Sequence, residues 1–188
     1  QHPTMDLQLV RVAEELPGFH ELADPLTIEA ETPCVLGGWG VIAGSPLADG
    51  WTWSGTRRET WGANVIDSPG PLLAIQFDNP AGTRAVPHEA LFGVNDSGGG
   101  MFVYGPGGEL ELAGVAVSVT GWGSSRFGNA AFAINVAEMH NWIMPYVDPS
   151  KPLASSVEAP HASLTNPVVM IVTMSMLASG IIARKRRR

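Results

Sequence analysis

Apolar residues in this chain fall in short runs broken by Gly, Pro, Asn and Asp, and they rarely recur at the spacing of three and four that an amphipathic helix needs. From Met5 to Val12, Leu7, Leu9 and Val12 are apolar while Gln8 and Arg11 are polar, which is close to strand alternation. Residues 13 to 33 carry Pro, Glu and Asp without a period and predict an extended surface connection, with a turn at Pro17-Gly18. After Pro33 come Cys34-Val35-Leu36, Gly40 to Ala43, Leu72 to Phe77, Gly100 to Tyr104 and Leu110 to Thr120, each bounded by turn residues. That succession predicts an antiparallel sheet closing on itself. Ala131 to Val147 places Ile134, Ala137, Trp142 and Ile143 near one face and predicts a helix, ended or kinked at Pro145. Residues 148 to 167 are polar with Pro and Ser and read as a linker, and residues 168 to 183 then run without a charge. No repeat of fixed period is present, which argues against solenoids and propellers.

Composition sharpens this picture. At 188 residues and 45% apolar, the chain can bury a core, and 22 Gly with 15 Pro favour many short strands joined by turns. The formal net charge is −7, but five of the 11 basic residues form Arg184-Lys185-Arg186-Arg187-Arg188. The rest sets six basic residues against 18 acidic ones, a balance of −12 that repels phosphate backbones and excludes a nucleic-acid partner for the body. Cys34 is the single cysteine, so no disulfide closes within the chain. The sequence opens on Gln1 without a charged-then-apolar leader, so a preceding segment is expected.

The stretch richest in chemistry is Asn95-Asp96-Ser97-Gly98-Gly99-Gly100. Acyl transfer needs a nucleophile beside backbone N–H groups that converge on the oxygen becoming negative, and glycines after a serine permit that approach. Asp, Ser and Gly also make ordinary hairpin turns, so the hexapeptide alone fits either reading. Its context is more specific. Asp96 to Gly100, Leu112-Ala113-Gly114-Val115, Phe132-Ala133-Ile134-Asn135-Val136 and Trp142-Ile143 resemble, in order and spacing, the second barrel of trypsin-like serine peptidases. Cys34 to Gly40 resembles the strand that opens that barrel, and Asp6 to Val12 resembles the segment bearing the triad acid.

The resemblance covers about residues 1 to 146 and implies an all-β fold. Residues 1–12 would end a first barrel, 13–33 connect the barrels, and 34–147 form a six-stranded second barrel with a C-terminal helix. A linker (148–167) and an apolar tail helix with a basic end (168–188) would follow. Ser97 would be the nucleophile and Asp6 the acid orienting the imidazole; the N–H groups of Asn95 and Ser97 would form the oxyanion hole. Asp96 would pair with an N-terminal ammonium created by activation cleavage. Asn95 stands where the family usually has glycine; Asn tolerates left-handed backbone angles better than other non-glycine residues. Leu91 occupies the base of the primary pocket, six residues before the nucleophile, which argues against cleavage after Lys or Arg, although Glu89 leaves an acid nearby. Val117-Ser118-Val119 departs from the family's Ser-Trp-Gly edge.

The resemblance places the catalytic histidine upstream of Asp6, outside this chain. His2 matches a peripheral position, and His20, His88, His140 and His161 have neither matching context nor metal-ligand spacing. No metal or organic cofactor is implied, and the substrates would be proteins or peptides. The tail resembles bacterial C-terminal sorting signals of the PEP-CTERM type without a clear Pro-Glu-Pro. It predicts an exported protein held at the cell envelope, through a membrane anchor or a sorting enzyme. The rival reading is a non-catalytic binding module on the same fold.

Overall fold

A computed structural model describes residues 1–12, 18–147 and 168–172. Strand β1 (Gln8–Val12) leads through a short 3-10 turn at Pro25–Thr27, capped by the Asp24 carboxylate, to β2 (Thr32–Gly38). There follow β3 (Val41–Leu47), β4 (Gly50–Arg57), β5 (Thr60–Ile66), β6 (Leu72–Gln76), β7 (Gly100–Tyr104), β8 (Leu110–Val119), β9 (Ser124–Arg126) and β10 (Ala130–Asn135). Helix α1 (His140–Val147) and strand β11 (Val168–Val172) come last.

The main body is a curled six-stranded antiparallel sheet, a half-barrel in the order β5-β2-β7-β8-β10-β6. Its edges approach each other just past β5, where Asp67 N–H donates to the Ala74 carbonyl at 2.9 Å and Ala74 N–H to the Ser68 carbonyl at 3.0 Å. Register shifts at Met101/Phe102 and Phe132/Ala133 bend the strands on either side of β8, as bulges do. The sheet buries both faces. Leu36, Ile66, Leu73, Ile75, Met101 and Ala133 fill the inside of the curl. Leu7, Val115, Ile134, Val136 and Ile143 form a second cluster outside it, under α1 and the N-terminal segment. A second, three-stranded sheet, β3-β4-β9, carries the aromatic face of Trp51, which packs against Phe77 and Phe127.

Two sequence expectations change here. The helix expected over Ala131 to Val147 is instead a strand, β10, followed by the shorter α1. Ala131 and Ala133 face the inner cluster while Ile134 and Val136 face the outer one, so burial on both faces produced an apolar run that mimicked helical spacing. Pro145 lies inside α1. The second change is that β4 and β5 are strands: Gly50–Arg57 is largely polar apart from Trp51 and Trp53, and Thr60–Ile66 sets Trp61, Ala63, Val65 and Ile66 among Thr, Gly and Asn.

The first five residues of the apolar tail, Val168–Val172, pair antiparallel with β1 from Gln8↔Val172 to Val12↔Val168. The expected linker over 148–167 and residues 173–188 of the tail lie outside the described residues. Among the described residues no helix is long and apolar enough to cross a membrane.

Candidate active site

The loop between β6 and β7 is held at both ends by backbone pairing. On its first half, Ala63 N–H donates to the His88 carbonyl and Ala90 N–H to the Ala63 carbonyl, both at 2.9 Å, which fixes it along β5. On its second half, Gly98 N–H donates to the Ala116 carbonyl at 2.9 Å and Ala116 N–H to the Gly99 carbonyl at 2.8 Å, which docks the loop on β8. Between these anchors, Asp96 N–H bonds back to Gly93 (3.2 Å) and Gly99 N–H to Asp96 (2.8 Å), making two consecutive tight turns. The glycines are demanded locally: Gly98 has φ +91°, and a Cβ on Gly99 would lie 2.7 Å from the Gly37 carbonyl oxygen.

Ser97 stands half-buried at the crest of these turns. Asn95, two residues earlier, takes φ +71°, so the left-handed angle that its type tolerates is the angle it adopts. Among the described residues, neither the N–H of Asn95 nor that of Ser97 donates to another group of the chain. Ser97 thus carries one backbone donor, and Asn95 a second two residues earlier, that no described group of the chain accepts.

Asp96 points the other way, into the protein, with 8% of its surface exposed. Gly93 N–H donates to its Oδ2 at 2.7 Å, while Oδ1 is buried without a hydrogen-bond partner. Gly38 and Gly40 make room for it, since a Cβ on either would fall within 2.4 Å of the carboxylate. Burial pushes its pKa up from the usual aspartate range, and the amides of Gly93, Gly40 and Trp39 oppose that rise. The carboxylate borders a cavity of about 300 Å³ between the two sheets, lined among others by Leu36, Val41, Trp51, Trp53, Leu91 and Phe92.

Asp6 is half-buried and directly precedes Leu7. Leu7 is fully buried in the cluster that includes Val115, and Gly98 and Gly99, which follow Ser97, bond to Ala116, so the two segments meet neighbouring residues of β8. Leu91 packs against the inner core with Val119. Glu89 is already engaged: its carboxylate accepts from Asn64 Nδ2 at 3.1 Å and from the N–H groups of Asp78 and Val86, both at 3.0 Å. Burial raises its pKa, and those two amides partly offset the rise. It acts as a brace across β5, β6 and the loop, through Asn64, which also reaches the carbonyls of Gln76 and Ala90.

Among the described residues, no histidine shares a hydrogen bond or ring contact with Ser97. His2 accepts the N–H of Met5 at 3.1 Å and meets Trp142 edge-on. His20 Nδ1 sits 2.8 Å from the Leu110 carbonyl oxygen, which sets it as a donor. His88 meets Trp61 at a tilt of 52°, and exposed His140 begins α1; His161 lies outside the described residues. Among the described residues, no group of three or more His, Cys, Asp or Glu could hold a metal ion.

Sequence reasoning passed over the tryptophans of β4 that wall the cavity. Their i, i+2 spacing was the available signal, and the polar and Gly residues that follow them in β4 concealed it. No protein-family model matches the chain, and no curated protein matches it.

Proposed function

We propose that this chain is the C-terminal part of a serine endopeptidase of the trypsin-like class, with Ser97 as nucleophile. The observation that carries this reading is the turn at residues 95 to 99. It holds a half-buried serine, leaves the N–H groups of Asn95 and Ser97 without an acceptor among the described residues, and is pinned to β8 by two hydrogen bonds. In this reading the curled sheet is the second barrel of a double barrel and β1 is the last strand of the first. Ser97 Oγ attacks the scissile carbonyl carbon as its proton passes to a histidine supplied upstream of this chain, which then protonates the departing amine. The N–H groups of Asn95 and Ser97 receive the developing oxyanion, and Asp6 orients the imidazole. Water then hydrolyses the acyl-enzyme and restores Ser97.

Asp96 fits the role of an ion-pair partner for an ammonium, because its buried Oδ1 is unsatisfied and breaking such a pair costs about 3 to 5 kcal/mol. With Leu91 at the base of the primary pocket and Glu89 consumed as a brace, the substrate residue entering there is uncharged. The chemistry calls for no metal or organic cofactor, and the substrates are proteins or peptides. The tail at 168–188 serves as a membrane anchor or a substrate for a sorting enzyme, holding an exported protein at a bacterial envelope.

The second reading, a binding module without catalysis, draws on Asn95 at the oxyanion position and on Val117 in place of a polar edge residue. A fluorophosphonate probe separates the two: the peptidase carries the label on Ser97, and Ser97→Ala abolishes it, whereas the binding module carries none.

A further inference from the structure

The uncharged run Val168 to Ala183 has sixteen residues, and the structure commits the first five of them to a strand on β1. We infer that the edge of β1 and a lipid bilayer are mutually exclusive sites for the tail, so that pairing of Val168–Val172 with Gln8–Val12 keeps the protein off the membrane. This rests on the anchor reading given above.

The exclusion is a matter of length. Sixteen residues at ~1.5 Å each make about 24 Å of helix, short of the ~30 Å hydrocarbon layer but workable when Pro167 and flanking residues are drawn in. Removing five leaves eleven, about 16 Å of helix, which cannot span. Nor can the paired segment enter as it stands, because a lone strand in hydrocarbon leaves its backbone N–H and C=O groups unsatisfied. The tail therefore has to surrender β1 before it can insert.

The strand it surrenders is well placed to register the change. Among the described residues β1 belongs to a two-stranded sheet whose other member is β11, and β11 also lies against α1. β1 follows directly on Leu7, which is fully buried in the outer cluster, and on Asp6. Docking of the tail thus covers the strand that extends from the Asp6 segment, and insertion uncovers it.

The test keeps the full chain and locks the pairing. Leu9→Cys/Ile171→Cys and Val10→Cys/Met170→Cys join register partners; neighbouring pairs in an antiparallel ladder alternate in Cα spacing, so one of the two suits a disulfide. Cys34 is buried and does not compete. Gln8→Cys/Val168→Cys, four residues out of register, is the control. Each is floated with phosphatidylcholine vesicles, whose zwitterionic surface gives the basic end no net charge to follow. The expected result is a disulfide in register and not in the control, flotation of the reduced protein, at least tenfold less flotation when oxidised, and recovery on reduction. Hydrogen exchange at residues 8 to 12 should also accelerate when vesicles are added to the reduced protein. Flotation of the oxidised in-register protein would overturn the exclusion while leaving the anchor intact. Equal disulfide formation in the control would overturn the pairing. Failure of the reduced and unsubstituted chains to float would overturn the anchor reading and the proposal with it.

Discussion

Gly93 donates its backbone N–H to Asp96 Oδ2 at 2.7 Å, and that one bond leaves the second carboxylate oxygen buried and unpartnered beside the glycines of β2 and β3's approach. Burial raises the Asp96 pKa above the 3.8 of an ordinary aspartate, so the folded state holds this proton more tightly than the unfolded chain does. Unfolding free energy from this group is then greatest below about 3.8 and falls as pH rises through the raised native value. Asp96→Asn should remove that fall and flatten the profile. Denaturant unfolding at a series of pH values checks it; superimposable profiles for the two proteins would contradict it. Glu89, shifted in the same direction, remains in both and cancels in the comparison.

Asn95 at φ +71° sets a backbone requirement that a Cβ-bearing residue without a local hydrogen-bonding side chain meets poorly. Asn95→Ala should therefore be less stable than Asn95→Gly by about 1 to 2 kcal/mol, measured by urea denaturation. If the two variants are equally stable, the turn does not hold the left-handed angle described for it.

Leu7 fastens the segment of Asp6 to β8, β10 and α1 through a fully buried side chain. Leu7→Ala should cost about 2 to 5 kcal/mol by thermal or chemical unfolding, the range for emptying a core leucine site. A loss under 1 kcal/mol would mean that the N-terminal segment packs far more loosely than the outer cluster implies.

Cys34 sits on β2 with its thiol buried and its pKa pushed up to about 12, chiefly by desolvation, with the carboxylates of Glu89 and Asp67 adding to the rise. Since the thiolate is the reactive form, iodoacetamide at pH 8 should leave the folded protein unmodified and label it fully in denaturant. Rapid labelling of the native protein would contradict the burial.

The strands with one clear apolar face, such as Leu72–Gln76 and Gly100–Tyr104, were legible as short runs between turn residues. Those that were not have identifiable reasons. β10 is buried on both faces, which erases the period of two, and β4 leaves most of its residues partly or wholly exposed, which erases the apolar run. At the site, the glycines after Ser97 announced a turn, and the left-handed angle at Asn95 follows from its side chain type. The interior course of Asp96, the cavity between the sheets and the bracing role of Glu89 depend on contacts between residues up to 58 positions apart, such as Gly38 with Asp96, and a local pattern carries no trace of them. The pairing of the tail with β1 is equally long-range.

The central claim is that Ser97 is an activated nucleophile. It is tested most directly by fluorophosphonate labelling of the full-length, folded and processed protein, with peptide mapping of the labelled residue. The account predicts a single label on Ser97, lost in Ser97→Ala, while circular dichroism of that variant is unchanged. A folded protein that takes no label, or a Ser97→Ala variant that labels as the parent does, would contradict it.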